Sequence, residues 1–272
     1  MTIDTSFDFR RDSPKGDPDK YSPTLHRYHQ LLWSKPLPIW QPYYVKDRNS
    51  YPADLHRRLV AVGETVFVTL SIHGPVSALD AATGKLLQTY AGTEKTEDII
   101  YDHGTLYLSI NSGDVENIDR LAMAYRHTEP RKKRLVAIEA ATGKRLWENE
   151  GPDTDELMPM TLAVKGDQLY FQNSKDVVCL DRSTGKVRWR APRPSEYFRP
   201  GWSSPTLVAL DHIVISADRQ SGPGQKVGKD QFAAGGFSTG NLIAFDAKTG
   251  EKLWTNDCAE GCRAPTDVFN LR

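Results

Sequence analysis

The sequence predicts an all-β fold, a β-propeller of four-stranded blades, and three observations predict it. One phrase is written four times, as ALDAATGKLLQTY from Ala78, AIEAATGKRLWEN from Ala137, CLDRSTGKVRWRA from Cys179 and AFDAKTGEKLWTN from Ala244. An apolar hairpin precedes each copy: RLVAVGETVFVTL, DIIYDHGTLYLSI, TLAVKGDQLYFQN and TLVALDHIVISAD. The closest copies stand about forty residues apart, the period of a propeller blade. Such a sheet is apolar on both faces and needs a neighbour on each side, so it comes in arrays.

Taken in order, residues 1–52 form a segment apart. Ser22 can cap a short helix with Pro23 at its first position and Leu25, Tyr28 and Leu32 near one face, and Pro36, Pro38 and Pro42 end it. His26 and His29 share a side of that helix, but no third ligand stands at a convincing spacing, so they read as solvent-facing. Residues 53–272 then hold four blades, at 58–90, 97–149, 160–191 and 205–256.

Each element of the phrase has a structural role. Asp80, Glu139, Asp181 and Asp246 can accept backbone N–H groups at a turn, and Gly84, Gly143, Gly185 and Gly250 tolerate the positive φ that closes it. Four residues on, Trp147, Trp189 and Trp254 supply packing anchors. The first copy has Gln88 there, so its outer edge is expected to meet the N-terminal segment or solvent and to mark an unclosed ring.

Thirty-five Lys and Arg balance thirty-five Asp and Glu. That removes the broad attraction which nonspecific nucleic-acid or anionic-membrane binding needs. The first residues contain no apolar export signal, and no window is long enough for a membrane helix. By that criterion the compartment is the cytoplasm. Cys258 and Cys262, in CAEGC, leave three readings open: a small disulfide loop, half a metal site, or two ordinary thiols.

Two insertions, about 111–133 and 218–240, interrupt the link between second and third strands in blades two and four. They therefore decorate the same face, together with the linkers between blades, while the Thr-Gly turns lie opposite. Enlarged loops at one end of a rigid scaffold are where binding sites are built. His73, Asp114, Glu116, Arg199, Trp202 and Lys229 are the candidate contacts on that face, for a protein or a small ligand. The basic run RHTEPRKKR lacks the interleaved aromatics of a nucleic-acid site. SGPGQKVGKDQF fails the spacing of a phosphate-binding loop, since Lys229 is followed by Asp230. No catalytic or metal-binding motif occurs.

The pattern A-x-D-x-x-T-G-x-x-x-W resembles the repeat of the bacterial PQQ-binding-like, or quinoprotein-like, β-propeller family, and residues 244–254 match it throughout. The resemblance covers residues 58–256 and implies rings of seven or eight blades, so four blades are expected to form a partial or open ring. It also implies an envelope or periplasmic setting and a binding or scaffold role. Its alternative implication is a PQQ-dependent oxidoreductase, holding the quinone with calcium and a stacking tryptophan. The adjacent cysteine pair frequent in such enzymes does not occur here. Residues 20–38 loosely resemble a segment of a bacterial family of unknown function.

Overall fold

A computed structural model describes residues 32–35, 57–71, 73–113, 132–158, 160–195, 205–219 and 240–256. Every regular element among them is a strand, and sixteen strands form four antiparallel sheets in strict chain order. The first holds β1 (Leu59–Val62), β2 (Thr65–Thr69), β3 (Val76–Asp80) and β4 (Leu86–Thr89). The second holds β5 (Thr96–Asp102), β6 (Thr105–Asn111), β7 (Lys133–Glu139) and β8 (Arg145–Glu150). The third holds β9 (Ala163–Lys165), β10 (Gln168–Gln172), β11 (Asp176–Asp181) and β12 (Val187–Pro192). The fourth holds β13 (Thr206–Ala209), β14 (Ile213–Arg219), β15 (Gly240–Asp246) and β16 (Lys252–Asn256). The helix expected from Ser22 lies outside the described residues, except Leu32, which is not helical.

The Thr-Gly turns form as their chemistry requires. Asp80 Oδ1 accepts the backbone N–H of Ala82 and of Thr83, Asp181 Oδ1 that of Ser183 and of Thr184, and Asp246 Oδ1 that of Lys248 and of Thr249. Glu139, one methylene longer, instead accepts the hydroxyl of Thr142. The four glycines take φ values of 68°, 76°, 69° and 75°, the left-handed region in which a Cβ is strained.

The same irregularity follows every turn. The outer strand gains one residue against its partner, so that Ala78 pairs with Gln88 but Leu79 with Leu86, and the shift recurs at Ala137, Cys179 and Ala244. Such a bulge re-aims side chains. Leu87, Leu146 and Leu253 are left exposed, while the residues after Leu87 and Leu146 are turned toward the following sheet.

That next residue closes the joint between sheets. The indole of Trp147 lies on Gly185, where an added Cβ would stand 2.6 Å from its Cε3, and its Nε1 donates to the Arg182 carbonyl at 2.8 Å. Trp189 repeats this on Gly250, with Nε1 donating to the Ala247 carbonyl at 3.0 Å. Ala137 and Cys179 beside these indoles are small enough to admit them, and Tyr107 and Tyr170 beyond tilt against them at 6.1 and 5.8 Å. Only glycine permits so close an approach.

At the joint between the first and second sheets the indole is replaced by two groups. Gln88 lies on Gly143, while Tyr90, 2% exposed, donates its hydroxyl to the Ala140 carbonyl at 2.6 Å. The thinner amide leaves a cleft of about 330 Å³ lined by Phe67, Gln88, Tyr90 and Tyr101 among others. This corrects the expectation for Gln88: the first sheet's outer strand does meet the second sheet, and the substitution does not mark the ring's opening. The N-terminal segment docks elsewhere, with Trp33 on Gly84 and its Nε1 donating to the Ala81 carbonyl at 2.9 Å.

Neighbouring sheets also touch along their inner strands, β1 on β5, β5 on β9 and β9 on β13, and no comparable contact joins β13 to β1. Among the described residues the sheets follow one another in an arc with three joints. Three apolar clusters fill its three internal joints, around Phe67 and Ile99, around Trp147 and Phe171, and around Trp189 and Phe245.

Two expectations follow. Trp189→Ala removes a buried indole with its hydrogen bond and costs about 3–5 kcal/mol in urea unfolding, whereas Trp254→Ala, at an exposed site, leaves the monomer's stability unchanged. The second concerns pH. Hydrogen bonds from Ser183, then Arg188, hold the Asp181 carboxyl far below its ordinary range, and bonds from Thr83 and Thr249 lower Asp80 and Asp246. A lowered folded-state value means stability that is present above the unfolded value, about 4, and lost as pH falls through the folded values. Asp181→Asn is therefore less stable than the parent at neutral pH, and its unfolding midpoint falls less steeply between about pH 5 and pH 2.

Candidate functional site

Strand direction divides the arc into two faces. The β1–β2 turn and the Thr-Gly turn share one face, where Ala81 N–H bonds the Glu64 carbonyl. The opposite face gathers the β2–β3 class of connection and the linkers between sheets. Both insertions fall there, between Asn111 and Lys133 and between Arg219 and Gly240.

Two buried polar networks lie under this face. In the first, the Asp98 carboxylate, 1% exposed, accepts the backbone N–H of Arg57 and of Met160, each at 3.1 Å. Arg57 stands beside it with Nε 3.8 Å away and donates from Nη2 to the Leu162 carbonyl at 2.9 Å. One carboxylate thus ties together the segments that lead into β1, β5 and β9. Next to it Lys133 Nζ meets Glu97 Oε2 at 3.1 Å, both almost wholly buried, and Asn111 Nδ2 donates to Glu97 Oε1 at 3.0 Å.

The second network joins the third and fourth sheets. Gln172 Nε2 donates to Ser195 Oγ at 2.7 Å and to Asp218 Oδ2 at 3.2 Å, and the Ser195 hydroxyl donates to Asp218 at 2.6 Å. The Ser216 hydroxyl donates to Gln172 Oε1, Arg193 Nε donates to Ser216 Oγ at 3.1 Å, and Arg193 Nη2 donates to Asn241 Oδ1 at 2.6 Å. Buried charge needs such partners, since isolation in a low dielectric costs several kcal/mol, roughly, per ion. These groups orient the bases of the loops.

Of the predicted contacts, His73 lies half-buried in the β2–β3 connection on this face. Asp114, Glu116, Arg199, Trp202 and Lys229 lie outside the described residues, as do Cys258 and Cys262. Sequence reasoning missed Arg57, Glu97, Asp98, Lys133, Gln172, Arg193 and Asp218. The available signal was a charged or amide residue flush against an apolar strand, as in Lys133 before Leu135–Ile138. Cys179 offers no nucleophile, because burial pushes its thiol up to about 12.

The quinone and calcium of the resembling enzymes ask for a stacking indole and a carboxylate free to hold the ion. Trp147 and Trp189 spend their rings and N–H groups on the opposite face, and Glu97, Asp98 and Asp218 are each engaged internally. Those five residues are therefore not the ones that would hold such a group. Among the described residues, no cluster of three His, Cys, Asp or Glu is placed to hold a metal.

Breaking the Glu97–Lys133 pair tests whether this face is built on it. Lys133→Met strands a buried carboxylate and is expected to cost about 3–5 kcal/mol. Glu97→Gln with Lys133→Met keeps an acceptor for Asn111 and recovers most of the loss, read from urea midpoints.

A family model described as outer membrane protein assembly factor BamB, of the PQQ-like repeat type, matches residues 30–260. The 1-butanol dehydrogenase (quinone) of Thauera butanivorans is 32% identical over 138 residues, 47% of this chain and 20% of its own. The tetrathionate hydrolase of Acidithiobacillus ferrooxidans is 26% identical over 200 residues, 73% of this chain and 34% of its own. The chain thus spans between a fifth and about a third of the length of these relatives. Among solved structures, BamB from Moraxella catarrhalis matches with a TM-score of 0.42 and 19% identity, over 73% of this chain and 47% of that one. The quinohemoprotein alcohol dehydrogenase of Comamonas testosteroni matches with a TM-score of 0.49 and 17% identity, over 76% and 35%. The chain belongs to the PQQ-like repeat β-propeller family described as outer membrane protein assembly factor BamB.

Proposed function

We propose that the chain is a noncatalytic binding module of the bacterial envelope, engaging a protein partner through its insertion-bearing face. One observation carries the reading. The buried charges beneath that face are paired with one another, Glu97 with Lys133 and Asp98 with Arg57, and so serve to fix loop bases in place of facing a substrate. The family description, an assembly factor for outer membrane proteins, supports a protein partner. No helix of the described residues is long and apolar enough to cross a membrane.

A second reading is a PQQ-dependent oxidoreductase or part of one, favoured by relatives such as the quinoprotein ethanol dehydrogenase of Pseudomonas aeruginosa, 32% identical over 140 residues. Titration with PQQ and calcium separates the two. The binding module shows no saturable quenching of tryptophan emission and no alcohol-dependent dye reduction; stoichiometric quenching with turnover replaces it by the oxidoreductase. A photo-crosslinker at Lys175, exposed in the β10–β11 connection, is expected to give discrete adducts in an envelope extract. The same group at Lys85, exposed on the opposite face, gives none.

A further inference from the structure

The cleft between the first and second sheets lies at a place that the chain fills with its own side chains elsewhere. Between the second and third sheets three large groups meet there: the Trp147 indole on Gly185, the Tyr107 ring, and Arg182, whose Nε donates to the Tyr107 hydroxyl at 2.6 Å. Between the first and second sheets each is cut back. In the same strand register Gln88 stands for the indole and Phe67 for the tyrosine, and Ala140 holds the turn position of the arginine. The joint between the third and fourth sheets is filled as well, by Trp189, Tyr170 and Gln168, whose Nε2 donates to the Ala247 carbonyl at 2.7 Å.

What remains is a cleft of about 330 Å³ with an aromatic wall and a polar corner. Tyr101 stands where the third sheet has Val164, and its ring lies nearly parallel to that of Phe67, with centroids 5.5 Å apart and planes 15° from each other. The polar corner is the half-buried Gln88 carboxamide. Its Nε2 is turned onto Gly143 and its Oε1 away, and among the described residues it makes no hydrogen bond. No charged side chain lines the cleft. An apolar pocket of this size with one or two polar groups suits a small ligand, and a ring can stack on such a wall.

We propose that this cleft binds a small, neutral, planar heteroaromatic molecule carrying a ring N–H, seated against Phe67 and Tyr101 and donating that N–H to Gln88 Oε1. Indole is the model compound, because the chain itself sets an indole at the corresponding place in two joints. The absence of lining charge selects against ionised ligands, and the Gln88 acceptor selects for a donor. The site lies beside the Thr-Gly turns, opposite the insertion-bearing face, so it stands independently of the protein-binding role proposed above.

Saturation-transfer NMR titrations of the full chain with indole and with benzofuran, which has the same shape but no N–H, test this. The parent is expected to bind indole saturably at one site, and benzofuran about fivefold more weakly, the worth of one hydrogen bond. Gln88→Leu keeps the volume but removes the acceptor, so it weakens indole by about fivefold and leaves benzofuran unchanged. Gln88→Trp restores the residue of the other joints, fills the cleft and abolishes binding of both. If that variant fails to fold, Ala140→Arg closes the same cleft from its other side, at a turn position that carries arginine in the third sheet. A parent without saturable indole binding up to the solubility limit overturns the proposal, as does binding that a folded cleft-filling variant leaves undiminished. Equal affinity of the parent for indole and benzofuran overturns the assigned hydrogen bond.

Discussion

An indole resting on a glycine, with its N–H on a carbonyl three residues before that glycine, is the contact on which the arrangement of sheets depends. It requires four things at once: a turn that forces positive φ, a bulge that aims the ring, a small residue beside it, and the absence of a Cβ opposite. The turn that presents the glycine is itself held by the aspartate ahead of it, so turn chemistry and sheet packing are one requirement. A methyl group on Gly185 would meet the Trp147 ring at 2.6 Å and would be strained at that φ as well. The repeated phrase is therefore a joint as much as a hairpin.

Much of this was legible because it is local. The glycine, the acid and the tryptophan stand within nine residues of one another, and four copies expose what varies. Gln88 was visible as an exception, but its meaning was not. Tyr90, two residues later, supplies the missing hydrogen-bond donor, and the phrase offered no comparison for a tyrosine at that place. Trp33 was hidden for a different reason. Prolines and a capping serine around it favoured a helix-and-break reading, although Leu32-Trp33 repeats the Leu-Trp of Leu146-Trp147 and Leu253-Trp254.

Strand alternation alone put both insertions between the second and third strands of their sheets, as the strand order has them, yet the groups that organise the bases of these connections escaped. Asp98 is bound by residues 41 and 62 positions away, and Arg57 reaches a carbonyl 105 positions away. No spacing rule relates such partners, because what brings them together is the inner edges of three successive sheets converging. A lone charged residue at the end of an apolar strand looks the same in sequence whether it meets water or a buried partner.

Among the described residues the inner strands touch in sequence, from β1 through β5 and β9 to β13, so that each of these joints couples two successive sheets. In such a series each unit is stabilised by its neighbours. The fourth sheet is held to the third both through Trp189 and through the network from Gln172 and Arg193 to Asp218, Ser216 and Asn241. The Asp98 crosslink adds a second tie across the first three at their inner ends, so these sheets are coupled by a buried carboxylate as well as by apolar packing, and opening any one of them strands a buried charge.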